Sequence, residues 1–232
     1  MAVAVTTKTR RPAASAKAKA NAKASLEPVR DAERTRQALL AAAEIEFSSK
    51  GLAGARVDVI ADQAAANKRM LYYYFGSKEE LYLAVLERAY DAMRKAEREL
   101  NLANLAPLVA IKTLVEFKFD YCEKNQQIIA LLAGENMLGA AYLKRSRRLR
   151  DMILSLVDVI RSVLDAGVAD GKIRSGIDPL HLYISMSALS YFYFSNSATL
   201  SVAFARALGS PAERRLRRAH AVDVIMAYVR AL

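Results

Sequence analysis

The residues with the clearest chemistry lie between positions 56 and 78. Lys68 and Arg69 stand side by side and are followed by Met70 and, after Leu71, by Tyr72 and Tyr73. Cations next to tyrosines suit a nucleic acid. The cations meet phosphates or acceptor atoms on base edges, and tyrosine hydroxyls donate to phosphates while their rings pack on the sugars. Arg56 and Lys78 flank this group. Lys78 follows Ser77 at a helix start, where unpaired amides and the helix dipole favour a phosphate. Arg69 has two readings, a bidentate contact to guanine O6 and N7 or a plain phosphate contact. Asp58 is expected to cap its helix and stay off the phosphates.

These side chains need a particular scaffold. Leu39, Ala43 and Phe47 recur at helical spacing and make one apolar stripe, closed by Lys50-Gly51 as a C-terminal cap. Val57, Ile60, Ala61 and Ala64 form the inner face of a short second helix. Ala65-Ala66-Asn67 makes the turn, with Asn67 as N-cap of a third helix. Leu71, Tyr74 and Phe75 pack that third helix back, which leaves Lys68, Arg69, Met70, Tyr72 and Tyr73 outside. This is a helix-turn-helix whose second member is sized for a major groove.

The rest of the chain also reads as helix, so the fold class is all-α. Five prolines and nine glycines punctuate 232 residues, and the stretches between them are too long for strands. Helices are expected at about 30–50, 57–64, 68–75, 77–100, 107–124, 127–134, 141–169, 179–205 and 211–231. Ser77 to Glu80 reads as a capping box, with Glu80 reaching back to the Ser77 amide. Ser210-Pro211 and Asp178-Pro179 are further N-terminal signatures. The organisation that follows is a tail over 1–27, a helix-turn-helix domain over 28–76 and a second helical domain over 77–232.

Charge and composition bound the function. The net charge is +11, but seven basic residues and one acid fall within 1–30, so more than half of the excess sits in the tail. Residues 31–77 carry six bases and six acids. The acids Asp31, Glu33, Glu44, Glu46 and Asp62 must then lie away from the DNA-facing side. The Ala/Lys tail is expected to be unstructured, either simply solvated or acting as a basic arm on phosphates. One cysteine, Cys122, and two histidines, His181 and His220, leave no zinc or iron–sulfur spacing, so no metal or cofactor is expected. Cys122 reads as a buried apolar residue. No nucleophile–base pair, phosphate loop or paired carboxylates argue for an enzyme. The N-terminus has the reverse order of a secretory signal, which points to the cytoplasm. Leu182–Ala205 is a 24-residue run without charge, yet eight of its residues are Ser, Thr or Asn. A helix buried in a core or between subunits fits it better than a membrane span.

Ile60-Ala61-Asp62-Gln63-Ala64, Lys68 and the run LYYYFGSKEEL (71–81) resemble the DNA-binding domain of the TetR family, and residues 35–51 resemble that family's first helix. Three positions depart from the family pattern. Ala65 and Ala66 stand where glycine then valine is usual, Asn67 replaces the frequent Ser or Thr, and Arg69 replaces a small residue. An alanine forced into the left-handed region costs about 1 kcal/mol. The phrases APLVAIK (106–112) and IDPLHL (177–182) look like the branch with regulators of pyrimidine or nicotinate breakdown.

The resemblance implies a transcriptional regulator, a repressor released from a palindromic DNA operator by a small-molecule effector, with 77–232 binding effector and forming a homodimer. An alternative is a non-specific DNA-compacting protein acting through the basic tail. For the dimer, 179–205 has two apolar stripes, Leu180-Ile184-Ser187-Tyr191 and Leu182-Met186-Leu189-Tyr193, one facing inward and one facing a partner. Ala221, Val224, Ile225 and Tyr228 add a further stripe. For the effector, Phe117 and Tyr121 share a helix face, which serves either a pocket or ordinary core packing. Glu135, Asn136 and Met137 sit between glycines, where the carboxylate either orients a ligand or is solvated. Ser187, Tyr191 and Met93 would complete the lining. The arginine runs 144–150 and 214–218 read as solvated faces, as inter-subunit partners of acids or as a site for an acidic effector.

Overall fold

The computed structural model describes residues 14–231. Among the described residues nine α-helices follow in order: α1 Ala14–Gly54, α2 Val57–Gln63, α3 Lys68–Phe75, α4 Lys78–Glu99, α5 Pro107–Lys124, α6 Gln126–Met137, α7 Arg147–Ala169, α8 Pro179–Ala203 and α9 Pro211–Val229. Among the described residues the one extended pairing is an isolated bridge between Ile173 and Arg230. No described helix is long and apolar enough to cross a membrane.

Local signals account for most boundaries. The chain leaves helical geometry at Gly51 (φ 65°, ψ 175°), where a left-handed φ favours glycine. The hydroxyls of Ser77, Ser146 and Ser210 and the carboxylate of Asp178 each accept an amide of the first turn that follows. The capping box at Ser77 is only half formed. Its hydroxyl takes the Glu80 amide, but the Glu80 carboxylate pairs with Arg145 and does not return to Ser77.

Two expected boundaries move. The helix expected from 141 begins at Arg147, because Leu143–Arg145 forms a 3-10 turn and Ser146 caps the helix behind it. Helix α1 begins at Ala14, inside the stretch expected to lack structure, as alanine-rich sequence favours. Residues 1–13 of that tail lie outside the described residues.

Three apolar clusters hold the described residues together. Leu39, Ala43 and Phe47 of α1 pack with Ile60, Leu71 and Phe75, and with Leu81, Tyr82, Val85 and Leu86 of α4. Leu131 of α6 joins the same cluster. A larger cluster unites α5, α7, α8 and α9 through Leu114, Ile160, Met186 and Ile225. A third, with Ala89, Phe119, Ile129, Tyr193 and Phe194, lies between them.

Both arginine runs act inside the chain. Arg145 and Arg148 pair with Glu80 and Asp91 of α4. Arg214 meets Glu123 at 3.3 Å, and Arg218 holds Asp120 and Glu116 at 2.6 and 3.0 Å. The runs therefore fasten α7 to α4 and α9 to α5, although neither pairing is visible as local sequence spacing.

Candidate DNA interface and effector cavity

The short α3 owes its orientation to two anchors. Leu71 is fully buried and Phe75 nearly so, so the opposite face must look outward. Asn67 caps the helix, its side-chain oxygen accepting the Met70 amide at 3.0 Å. Lys68 and Arg69 are exposed, Met70 is half-buried, and Tyr72 and Tyr73 project with 43% and 83% of their surface open. Such exposure of tyrosine beside two cations costs apolar surface unless something covers it.

The turn between α2 and α3 keeps a left-handed residue although alanine stands there, so it carries the strain expected of that substitution. Ala65 adopts φ 50°, and the Ala66 amide reaches back to the Ala61 carbonyl at 3.0 Å. Arg56 precedes α2 and is exposed, but its guanidinium lies 2.6 Å from Asp58. This pairing holds the Asp58 carboxyl below its ordinary range, chiefly through the Arg56 hydrogen bond. Asp58 thus pairs with a neighbouring cation and does not cap the helix as expected, since the side chain that takes an amide at this end is Glu46. Glu46, buried on α1, accepts the Arg56 amide at 3.0 Å. Lys78 is half-buried, and its ammonium donates to the Ala53 carbonyl at 3.3 Å, tying the start of α4 to the end of α1.

Of the acids expected away from this face, all but Asp62 are engaged by partners elsewhere. Asp31 and Glu33 pair with Arg34 and Arg36 on α1, and Glu44 lies 3.9 Å from Arg88. Asp62 is exposed on α2.

A cavity of about 320 Å³ opens between α4, α5, α6 and α8. Met93, Phe117, Tyr121, Asn136, Ser187 and Tyr191 line it, six of the eight side chains expected there. The other two do not. Met137 is almost fully exposed because it ends α6 on the outer surface. Glu135 is buried and points to the α6–α7 connection, where one carboxylate oxygen accepts the amides of Tyr142 and Leu143 at 2.8 and 2.9 Å. The helix continues through Gly134, so Glu135 and Asn136 face different sides.

Sequence reasoning missed the charged part of the wall. Glu97 on α4 and Lys118 on α5 both line the cavity, as do Tyr90 and Tyr183. Arg94, Glu97 and Lys118 are all buried. Their signal was phase: Lys118 follows Ile111, Leu114 and Val115 at seven, four and three residues and shares their buried face. Burial raises the hydroxyls of Tyr90, to about 12, and of Tyr121 and Tyr191. Tyr183 alone among the cavity tyrosines moves down. Burial opposes that shift, but the Lys118 ammonium over its ring and Arg94 at its hydroxyl outweigh it.

Two helices connect cavity and DNA face. α4 starts in the cluster that carries α3 and ends at Met93 and Glu97 in the cavity. α6 gives Leu131 to that cluster and Leu132 and Asn136 to the cavity.

Residues 39–85 match the family model described as bacterial regulatory proteins, tetR family, and residues 107–225 match the model for a tetracyclin repressor-like C-terminal domain. The chain belongs to the TetR family. It is a DNA-binding transcriptional regulator of that family, and α2–α3 is its helix-turn-helix. It is 40% identical over 170 residues to the HTH-type transcriptional repressor NicS of Pseudomonas putida, covering 73% of this chain and 80% of that protein. It is 35% identical over 161 residues to the HTH-type transcriptional regulator RutR of Escherichia coli K12, covering 68% and 73%. Among solved structures, the Streptomyces coelicolor regulator SCO4942 superposes with a TM-score of 0.65 at 26% identity, over 85% of this chain and 99% of that one.

Proposed function

We propose that this regulator is a homodimeric repressor that reads a two-fold operator with its paired α3 helices and releases it when a small-molecule effector fills the α4–α8 cavity. The observation that carries the DNA half is the outward ridge of Lys68, Arg69, Tyr72 and Tyr73 on a helix pinned by buried Leu71 and Phe75. In this reading Lys68, Arg69 and Met70 approach base edges. Asn67, Tyr72, Tyr73 and Lys78 hold the phosphates, with Arg56 at the margin. Repression as the direction of control rests on relatives such as NicS, named a repressor. Such a role belongs in the cytoplasm, where the DNA is.

Dimerisation is supported by what α8 and α9 leave uncovered. Leu182, Met186 and Tyr193 turn inward, while Leu180, Ile184 and Phe192 of α8 and Val224 and Tyr228 of α9 are exposed. The stripe expected as Leu180-Ile184-Ser187-Tyr191 divides, its first two residues facing out and the last two facing the cavity. An isologous contact of these faces sets two α3 helices about one DNA turn apart.

Release follows from rigid connections. A ligand that displaces Met93 and Glu97 moves α4, whose start packs against α3, and one that displaces Leu132 or Asn136 moves α6, whose neighbouring Leu131 lies in the same cluster. By linkage, operator binding then lowers effector affinity by the same factor. The test is selection of random duplexes by the full chain and by a chain lacking residues 1–30. Enrichment of one two-fold-symmetric site by both proteins supports the reading. Loss of all affinity with the tail, with no enriched site, points to tail-driven compaction.

A further inference from the structure

The charges around the cavity do not balance. Arg94 and Glu97 on α4 and Lys118 on α5 bury two cations against one carboxylate. The other buried or nearby acids are committed elsewhere: Glu135 to the Tyr142 and Leu143 amides, Glu44 to the neighbourhood of Arg88. Glu97 is the only acid in the cavity lining among the described residues. A buried charge without a counter-charge is costly, so an uncompensated cation at a cavity wall favours an anion from outside.

The two cations share Glu97 unequally. Arg94 meets one carboxylate oxygen at 2.5 Å and donates to the Tyr183 hydroxyl at 3.2 Å. It does not line this cavity but lines, together with Glu97, a second void of about 230 Å³. Lys118 has only a 3.5 Å contact to the other oxygen, and its ammonium sits 4.1 Å from the centre of the Tyr183 ring. An ammonium has three donors, and these two contacts leave capacity on the side that faces the cavity. The downward shift of Tyr183 reports the same excess of positive charge. The rest of the wall is mainly aromatic and aliphatic, with Asn136, Ser187 and Ser190 as its polar side chains. Phe117 and Tyr121 lie 5.5 Å apart with a 41° tilt, opposite Leu132 and Tyr191.

We propose that the cavity selects a small planar monoanion, an aromatic carboxylate, and that Lys118 anchors its charge while Arg94 neutralises Glu97 from outside the cavity lining. This rests on the reading of the cavity as the effector site. The ring of the ligand lies against Phe117 and Tyr121, and its carboxylate replaces the missing share of counter-charge at Lys118. Ser187 and Asn136 are placed to read ring substituents.

The experiment is calorimetric titration of the full chain with matched acid and amide pairs, benzoate against benzamide and 4-hydroxybenzoate against 4-hydroxybenzamide. The acid of at least one pair should bind about tenfold or more tighter than its amide, the scale of one charge-assisted hydrogen bond. Lys118→Met should erase that preference, and Lys118→Arg, which keeps the charge should Met compromise folding, should retain it. Equal or tighter binding of the amides, no binding of either acid at millimolar concentration, or an unchanged acid preference in a folded Lys118→Met protein overturns the proposal. Operator affinity measured beside each titration separates the two readings. An acid that binds through Lys118 without weakening operator binding overturns the effector reading and leaves anion selection standing. A neutral compound that releases the operator while the acids are inert overturns anion selection alone.

Discussion

Leu131 and Leu132 are adjacent in sequence yet belong to different interiors: Leu131 is buried in the cluster that supports the recognition helix, and Leu132 lines the cavity. Consecutive helical residues differ by about 100° around the axis, so one helix can serve both sides. Any rotation of α6 that repacks Leu132 must also move Leu131.

This relationship separates two substitutions. Leu131→Ala removes a fully enclosed side chain, and a loss of about 2–5 kcal/mol is expected with weaker operator binding. Leu132→Ala, half-buried, should leave operator affinity near wild type and shift effector titrations. Thermal unfolding together with anisotropy on labelled operator checks both. The same loss of operator affinity in both variants would remove the division.

Glu135 holds the α6–α7 connection by accepting two amides, and it lies out of the cavity. Glu135→Ala leaves both amides short of a partner, which should cost about 1–3 kcal/mol. At this chain length the melting point would fall by roughly 2–4 °C per kcal/mol. Ligand affinity per folded molecule should be little changed. A variant that melts normally but no longer binds ligand would return Glu135 to the binding site.

Cys122 lines the cavity, and burial pushes its thiol up to about 11. At pH 8 only about one thiol in a thousand is then ionised, and alkylation by iodoacetamide should be far slower than for a free cysteine. A ligand in the cavity should slow it further. Alkylation at the free-cysteine rate would contradict the burial described here.

Asp178 caps α8, and its carboxyl is lowered mainly by the hydrogen bond from the His181 amide. A carboxyl that is more acidic when folded stabilises the fold above its ordinary value, and that contribution is lost as pH falls through the folded value. Melting points taken from pH 7 down to about pH 3 should fall more steeply for wild type than for Asp178→Asn, which caps without titrating. Identical slopes would show that the cap carries no charge effect.

The helix-turn-helix was legible because its signals are local. Leu71 and Phe75 four residues apart, Asn67 at the cap and Ala65 at the turn fix the outward side of α3 without knowledge of the remaining chain. The six cavity residues found from sequence were aromatic, polar or sulfur-bearing on apolar helices. Arg94, Glu97 and Lys118 were passed over because charge ordinarily marks a solvated face, and their burial depends on one another across α4 and α5. The arginine runs were ambiguous for a related reason. Arg148 finds Asp91, and Arg218 finds Asp120, only once distant helices are packed. Glu135 and Met137 were misplaced because Gly134 was taken to interrupt a helix that runs through it.

The central claim is that α3 reads base sequence and that flanking cations only hold the backbone. The direct measurement is anisotropy of the full chain, Arg69→Ala and Lys78→Ala against the selected operator and every single base-pair variant of one half-site, at one fixed salt concentration. The account predicts that Lys78→Ala weakens binding similarly to all duplexes. Arg69→Ala should flatten discrimination at one or two base pairs by about 1–3 kcal/mol and leave the other positions unchanged. A uniform loss across all duplexes for both variants would contradict base reading by Arg69, and indifference of the wild-type chain to every base-pair change would contradict recognition by α3 altogether.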